Sequence, residues 1–365
     1  MNRSTLRRGL VPVGIVLSLA LALSACGDSN DSAGSGGNSS IDCTTGSIKA
    51  SGSTAQKNAV AEWVNAYQSA CPGATINYQG VGSSAGVADF INKQTAFAGS
   101  DSALKDEEQG KADDRCSTGP AINIPMVGGA ITLAYNVAGV DSLTLTPTVI
   151  AGIFNGSITK WNDPKIVAIN SGVTLPSATI AQFHRTDGSG TTDNFTKYLA
   201  AAAPTAWTLG NSKEWKAKGG QGAKGNDGVA SAIKSTDNAI GYVELSFAQD
   251  ANLKVAAVDN GGGAVEPNAD TASAALAKAT RDGSGDNIKL KIDYTINDAD
   301  AYPIVLVAYE ITCQKGLANS DQALTKSFLT YTASDDAQGV LADIGYVPIA
   351  GQLLTDVRAS VASIS

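Results

Sequence analysis

The chain has 365 residues, 43% of them hydrophobic and 16% charged, with 34 acidic residues against 26 basic ones and a formal net charge of −8. This balance excludes nucleic acid as a partner, because binding through counterion release needs clustered Lys and Arg. A small anion is not excluded: exposed charges are screened beyond about 8 Å, so a buried anion feels mainly the groups lining its own pocket.

The chain opens with Arg3, Arg7 and Arg8, an apolar run from Gly9 to Ala25, and then Cys26, the layout of an export signal. The junction Leu23-Ser24-Ala25-Cys26 resembles the lipobox of bacterial lipoproteins, in which the cysteine is acylated and becomes the new N-terminus. A plain signal peptide has no need of the cysteine, and the run is short for a spanning helix of about 20 apolar residues. Residues 26–40 read as a lipidated cysteine and a Gly/Ser/Asp/Asn tether, too poor in apolar side chains to offset the entropy of ordering. Globular composition begins near Ile41, leaving enough chain for two domains. Four further cysteines, Cys43, Cys71, Cys116 and Cys313, favour two disulfides in an exported chain. They allow three connectivities. Cys43 and Cys71 each precede a predicted strand of one βαβ unit, which favours that pair and leaves Cys116 with Cys313. No CxxC pair occurs, so no metal is expected; no cofactor is expected either.

In chain order, Ser47 to Ala50 is predicted as a strand and Ala55 to Ala70 as a helix, with Val60, Trp63, Val64 and Tyr67 on one face. Ala74 to Gln79 is the next strand. A helix around Val87, Phe90 and Ile91, a strand at 95–100 and a long apolar strand at 122–136 follow. A second alternating region has helices at 147–154 and 192–203 and strands at 179–185 and 239–243. Pro303 to Thr312 is strongly β-prone, and 322–332 and 337–341 read as helices. Alternating strands and helices imply an α/β protein with mostly parallel sheets covered on both faces. The long strands near 127–135 and 302–310 are the natural crossovers between domains. The expected division is a signal at 1–25, the tether at 26–40, a first domain from 41–130 and 301–365, and a second, inserted domain at 131–300.

Four polar clusters sit where predicted strands end: Gly52-Ser53-Thr54, Gly82-Ser83-Ser84, Ser100-Asp101, and Arg185 to Thr191 (RTDGSGT). Ligands of open parallel sheets bind outside the carboxyl ends of the strands, so all four can face one crevice. Three clusters also open a helix, whose unpaired N–H groups attract phosphate-like anions. Capping alone explains any single Ser or Thr. Convergence with an arginine suited to bidentate oxyanion binding and with one carboxylate points to an anion site.

The segments GST at 52–54, YQGVGSSAG at 78–86, FAGSD at 97–101 and HRTDGSGTT at 184–192 resemble the phosphate-binding proteins of bacterial Pst-type ABC transporters. So do FNGSITKWNDPKI at 154–166, GAKGNDGV at 222–229 and AIGYVE at 239–244. The resemblance implies a two-domain periplasmic-binding-protein-like fold of type II with two hinge crossovers. It implies inorganic phosphate held by Thr54, the Ala55 N–H, Ser83, Asp101, Arg185, Ser189, Gly190 and Thr191, with Asp187 holding the Arg185 fork. It further implies a monomer on the extracytoplasmic face of the cell membrane, anchored in the bilayer through Cys26, delivering to permease and ATPase subunits and performing no catalysis. The family often carries an aromatic-proline pair after the first threonine; here Ala55-Gln56 stands instead.

Alternatives are a binder of another tetrahedral oxyanion such as sulfate or arsenate, an adhesive lipoprotein, and a secreted serine hydrolase. The last would have to use His184, the single histidine, yet Gly188-Ser189-Gly190 is not a GxSxG elbow; a core or rim histidine is the plainer reading. Gly220 to Gly225 matches GxGxxG without a strand directly before it and reads as a glycine-rich surface loop.

Overall fold

A computed structural model describes residues 41–365. The signal, Cys26 and the tether lie outside the described residues. Among those described, no helix is long and apolar enough to cross a membrane.

One ten-stranded sheet organises the chain. On one wing the Gly46–Gly52 strand lies between Ala74–Gly80 and Phe97–Ser100, parallel to both. On the other, Ala181–Arg185 lies between Ala239–Glu244 and Gln221–Ala223, again parallel to both. Two long strands join the wings. Ala121–Asn136 pairs antiparallel with Val305–Cys313 along its first part and with Ala239–Glu244 along its second, the change falling at Ala130 and Ile131. Val305–Cys313 in turn pairs with Phe97–Ser100. Thus the parallel strands lie within each wing and the antiparallel pairings carry the chain between them. Pro125, which has no N–H for the ladder, sits where the register against Ala308 and Tyr309 shifts; the shift makes room for Met126, the unpaired residue of a bulge.

The sequence makes these strands for a visible reason. Ala121–Asn136 and Val305–Cys313 are enclosed on both faces almost throughout, as continuous apolar and β-branched runs require. Ala74–Gly80, by contrast, begins with buried residues alternating with exposed ones, the mark of an edge strand with one wet face. Each wing has its own apolar core. Trp63, Tyr67, Phe97, Met126 and Phe328 centre one; Ile131, Phe154, Trp161, Phe195 and Tyr242 centre the other. Phe195 stacks on Tyr242 with ring centroids 4.5 Å apart and meets Phe154 edge-on at 4.9 Å, so the helix Gly190–Ala202 is pinned to the sheet immediately behind its first turn.

Disulfides join Cys43 to Cys71 and Cys116 to Cys313. The second spans 197 residues of sequence and ties the end of the helix Asp106–Cys116 to the end of the returning strand. That helix was not predicted: it buries only Ala112 and Cys116 and so lacks an apolar stripe. Gly351–Ala362, which buries Val357, Ser360 and Val361, was missed likewise. The Gly220–Gly225 stretch differs from its expectation as a surface loop. Gln221–Ala223 is the outermost strand of its wing, and Gly225, at φ +74°, opens the helix Gly225–Ser235.

Candidate functional site

The four polar clusters meet at the carboxyl ends of the parallel strands, where the wings face each other. After Gly46–Gly52 come Ser53, Thr54 and Ala55; Ser83 opens the helix Ser83–Ile91. Asp101 follows Phe97–Ser100. On the other wing, Arg185 ends its strand, Ser189 caps the helix Gly190–Ala202 through a bond from the Thr192 N–H, and Thr191 lies in the first turn. All are withdrawn from solvent: Asp101 and Arg185 are each 2% exposed and Thr191 is 0% exposed.

They are knotted together. Asp101 accepts from the Ser53 hydroxyl at Oδ1 and from Thr191 Oγ1 at Oδ2, the latter 3.2 Å. Ser83 Oγ accepts the N–H of Gly190 at 3.1 Å and of Asp101 at 3.3 Å, one hydroxyl bridging both wings. The Ala55 N–H donates to Ser53 Oγ at 2.9 Å. Gly190 is required at its place: a Cβ there would stand 2.6 Å from the Asp101 Cβ and 2.7 Å from Ser83 Oγ, so the helix start can press against the opposite wing only as bare backbone.

Arg185 is held by its own loop. Its Nε donates to Asp187 Oδ1 at 2.8 Å and its Nη2 to Asp187 Oδ2, a fork on a carboxylate. Asp187 Oδ1 also accepts the Gly225 N–H at 3.0 Å. Against the upward pull of burial, the bond and charge of Arg185 hold the Asp187 carboxyl below its ordinary range. The remaining guanidinium nitrogen, Nη1, is buried and has no partner among the described residues. Asp101 is shifted the other way: burial raises it, while the Ser53 bond, the Arg185 charge and the Thr191 bond pull it back. The site therefore contains a fixed cation with one open N–H edge, helix-start N–H groups, several hydroxyls and one carboxylate crowded by donors. Such a set suits a tetrahedral oxyanion that accepts many hydrogen bonds and gives one back.

Sequence reasoning missed Asn226. Fully buried, it donates from Nδ2 to Thr54 Oγ1 at 3.0 Å and to Thr191 Oγ1 at 3.4 Å, and its Oδ1 accepts the Glu244 N–H at 3.0 Å. The segment GAKGNDGV holds it, and the signal was present: a polar amide directly after a helix-opening glycine. Asn194 was missed too; its Nδ2 donates to the Asp101 carbonyl at 2.6 Å. His184 stacks on Trp215, ring centroids 5.0 Å apart, with Nδ1 3.0 Å from the Arg185 carbonyl. It is a packing residue at the rim of the knot, as the plainer reading expected.

Residues 37–336 match the family model of the PBP superfamily domain. The chain is 41% identical over 363 residues to the phosphate-binding protein PstS3 of Mycobacterium bovis strain BCG / Pasteur 1173P2, covering 97% of this chain and 98% of the other. The chain belongs to the PstS family of phosphate-binding proteins. Another PstS relative, phosphate-binding protein PstS 3 of Mycobacterium leprae, is 44% identical over 348 residues, covering 92% and 93% of the two chains. Among solved structures, the high-affinity periplasmic phosphate-binding protein PfluDING superposes with a TM-score of 0.71 at 24% identity, covering 86% of this chain and 93% of that one. That likeness and the family match confirm the two-domain α/β periplasmic-binding-protein fold.

Proposed function

We propose that the chain is the extracytoplasmic phosphate receptor of an ABC importer, binding one inorganic phosphate between its wings and releasing it to permease and ATPase subunits without catalysis. The observation that carries this reading is Arg185: a guanidinium 2% exposed, clamped by Asp187 on two nitrogens and open on the third. Leaving a buried charged donor unmatched is costly, and an anion is what would match it. The ligand set is Thr54, the Ala55 N–H, Ser83, Asp101, Arg185, Ser189, Gly190 and Thr191, with Asp187 in support. The first lobe comprises residues 41–130 and 301–365 and the second residues 131–300, hinged at the two long strands. The protein acts as a monomer, tethered to the membrane through acylated Cys26.

Selectivity resides in Asp101. At neutral pH phosphate carries at least one P–OH and can donate to a carboxylate, whereas sulfate would set lone pairs against lone pairs. Equilibrium dialysis of the purified protein with labelled phosphate tests the reading. One phosphate should be retained per chain, and a hundredfold excess of sulfate, about 2.7 kcal/mol of mass action, should leave it in place. No retention, or displacement by sulfate at equal concentration, would overturn it.

A further inference from the structure

Asp101 is not the single enclosed carboxyl of this region. Glu310 lies on Val305–Cys313, 1% exposed, opposite Gly99 on one neighbouring strand and Ile124 on the other. Its Oε1 accepts from Gln56 Nε2 at 2.9 Å, while Oε2 has no donor among the described residues. Gln56, fully buried, stands where the family pattern often has proline. Its orientation is fixed by a neighbour. Tyr78 Oη donates to the Ser53 carbonyl at 2.8 Å, so it accepts from Gln56 Nε2, 3.1 Å away. Both amide hydrogens are thereby used, and Gln56 Oε1 is left as a second buried acceptor without a donor. Gly99 makes room for this triad: a Cβ there would fall 2.1 Å from Gln56 Nε2 and 2.3 Å from Tyr78 Oη.

An ionised Glu310 is acceptor-only and would bury an unmatched charged oxygen beside a second unmatched acceptor on Gln56; one proton removes that charge and makes the carboxyl a donor, of which the Gln56–Glu310 pair otherwise has too few. We propose that Glu310 is held as a neutral carboxylic acid paired with Gln56, and that this pair positions, through Tyr78 and Ser53, the Asp101 edge of the anion site. The titratable groups facing Glu310 are Asp101, from the turn after Phe97–Ser100, and Tyr78, from Ala74–Gly80. The strand Ala121–Asn136 on its other side carries no charged residue. Burial pushes Glu310 up to about 8, with the Gln56 bond opposing and the Asp101 charge adding to the push. As pH rises through that value, a second negative charge forms behind Asp101 and the pairing with Gln56 loses its proton. Anion affinity should then fall. Inorganic phosphate loses its own second proton near neutrality in the same way for wild type and Glu310→Gln, so the difference between the two proteins reports on the carboxyl.

The affinity arm rests on the phosphate reading; a second arm does not. In the full chain purified in mild detergent, 13C NMR of labelled glutamate carboxyls should show a group titrating near pH 8 that Glu310→Gln removes. Glu244, also pushed up to about 8 by burial, is assigned by Glu244→Gln, so Glu310 is identified by elimination even if Glu310→Gln does not fold. By calorimetry, wild-type phosphate Kd should rise about tenfold between about pH 7 and about pH 9.5, and Kd of Glu310→Gln less than about twofold. A Glu310 carboxyl that titrates in the ordinary range below about pH 6, or a variant whose affinity falls in step with wild type, overturns the proposal. Absence of phosphate binding in wild type would sink the functional reading instead, with the carboxyl titration still deciding Glu310.

Discussion

The two wings are built alike, each a central strand with a parallel neighbour on either side, yet they bring opposite electrical character to the cleft. The second wing ends its central strand in Arg185 and adds the N–H groups of a helix start, with Asp187 spent on fixing the guanidinium. Helix starts and hydroxyls are common to both wings; what the first adds is Asp101, with the buried Glu310 behind it. The shared architecture supplies position, because strand ends and helix starts converge wherever parallel strands lie side by side. The sign of the charge comes from single residues. Affinity should accordingly depend on the Arg185 wing and discrimination on the Asp101 wing.

The largest effect expected from this division is that of Arg185→Lys. An ammonium cannot hold the Asp187 fork and also present a fixed N–H edge, and hydrogen bonds to charged groups contribute about 1.5–3 kcal/mol each. Phosphate affinity should fall about 10- to 100-fold by calorimetry, with the far-ultraviolet dichroism of the folded protein retained. An unchanged affinity would remove Arg185 from the site and erase the contrast between the wings.

A smaller effect tests the buried carboxyls of both wings, Glu310 on the first and Glu244 on the second. Burial pushes both Glu310 and Glu244 up to about 8, above their unfolded value. A carboxyl raised in this way binds more protons folded than unfolded. Its stabilisation is full below the unfolded pKa and is lost as pH rises through the folded one. The Tm of ligand-free wild type should therefore fall between about pH 5 and about pH 9 by several degrees more than that of Glu244→Gln/Glu310→Gln. Parallel Tm profiles would show that the two carboxyls are not held neutral.

How much of this was legible in the sequence depended on what kind of signal each residue carried. Strand-end clusters were readable because Gly, Ser, Thr and Asp interrupt apolar runs, and periodicity had already placed those runs. Thr54, Ser83, Asp101, Arg185 and the 187–191 loop do converge. Asn226 was not found, since the glycines before it resembled loop chemistry and the short edge strand Gln221–Ala223 has little apolar content. Glu310 left a clearer trace, a lone acid inside PIVLVAYEIT. A charge there contradicts a fully buried strand unless it is neutralised or matched, yet the run was read for its β-propensity alone. Gln56 likewise registered as a departure from a family pattern before its contact with Glu310 gave the departure a physical meaning.

The claim that the first wing sets discrimination is tested most directly at Asp101. Asp101→Asn keeps the size of the side chain while replacing an acceptor-only carboxylate with a group that also donates. Phosphate affinity alone is ambiguous, because removing a negative charge beside an anion offsets the lost bond to P–OH. The ratio of phosphate to sulfate affinity, measured by competition titration at neutral pH and fixed ionic strength, is free of that ambiguity. It should shrink by about tenfold or more, since relief of a buried lone-pair repulsion exceeds 1.4 kcal/mol. Equal rejection of sulfate by wild type and Asp101→Asn would contradict the assignment of selectivity to Asp101.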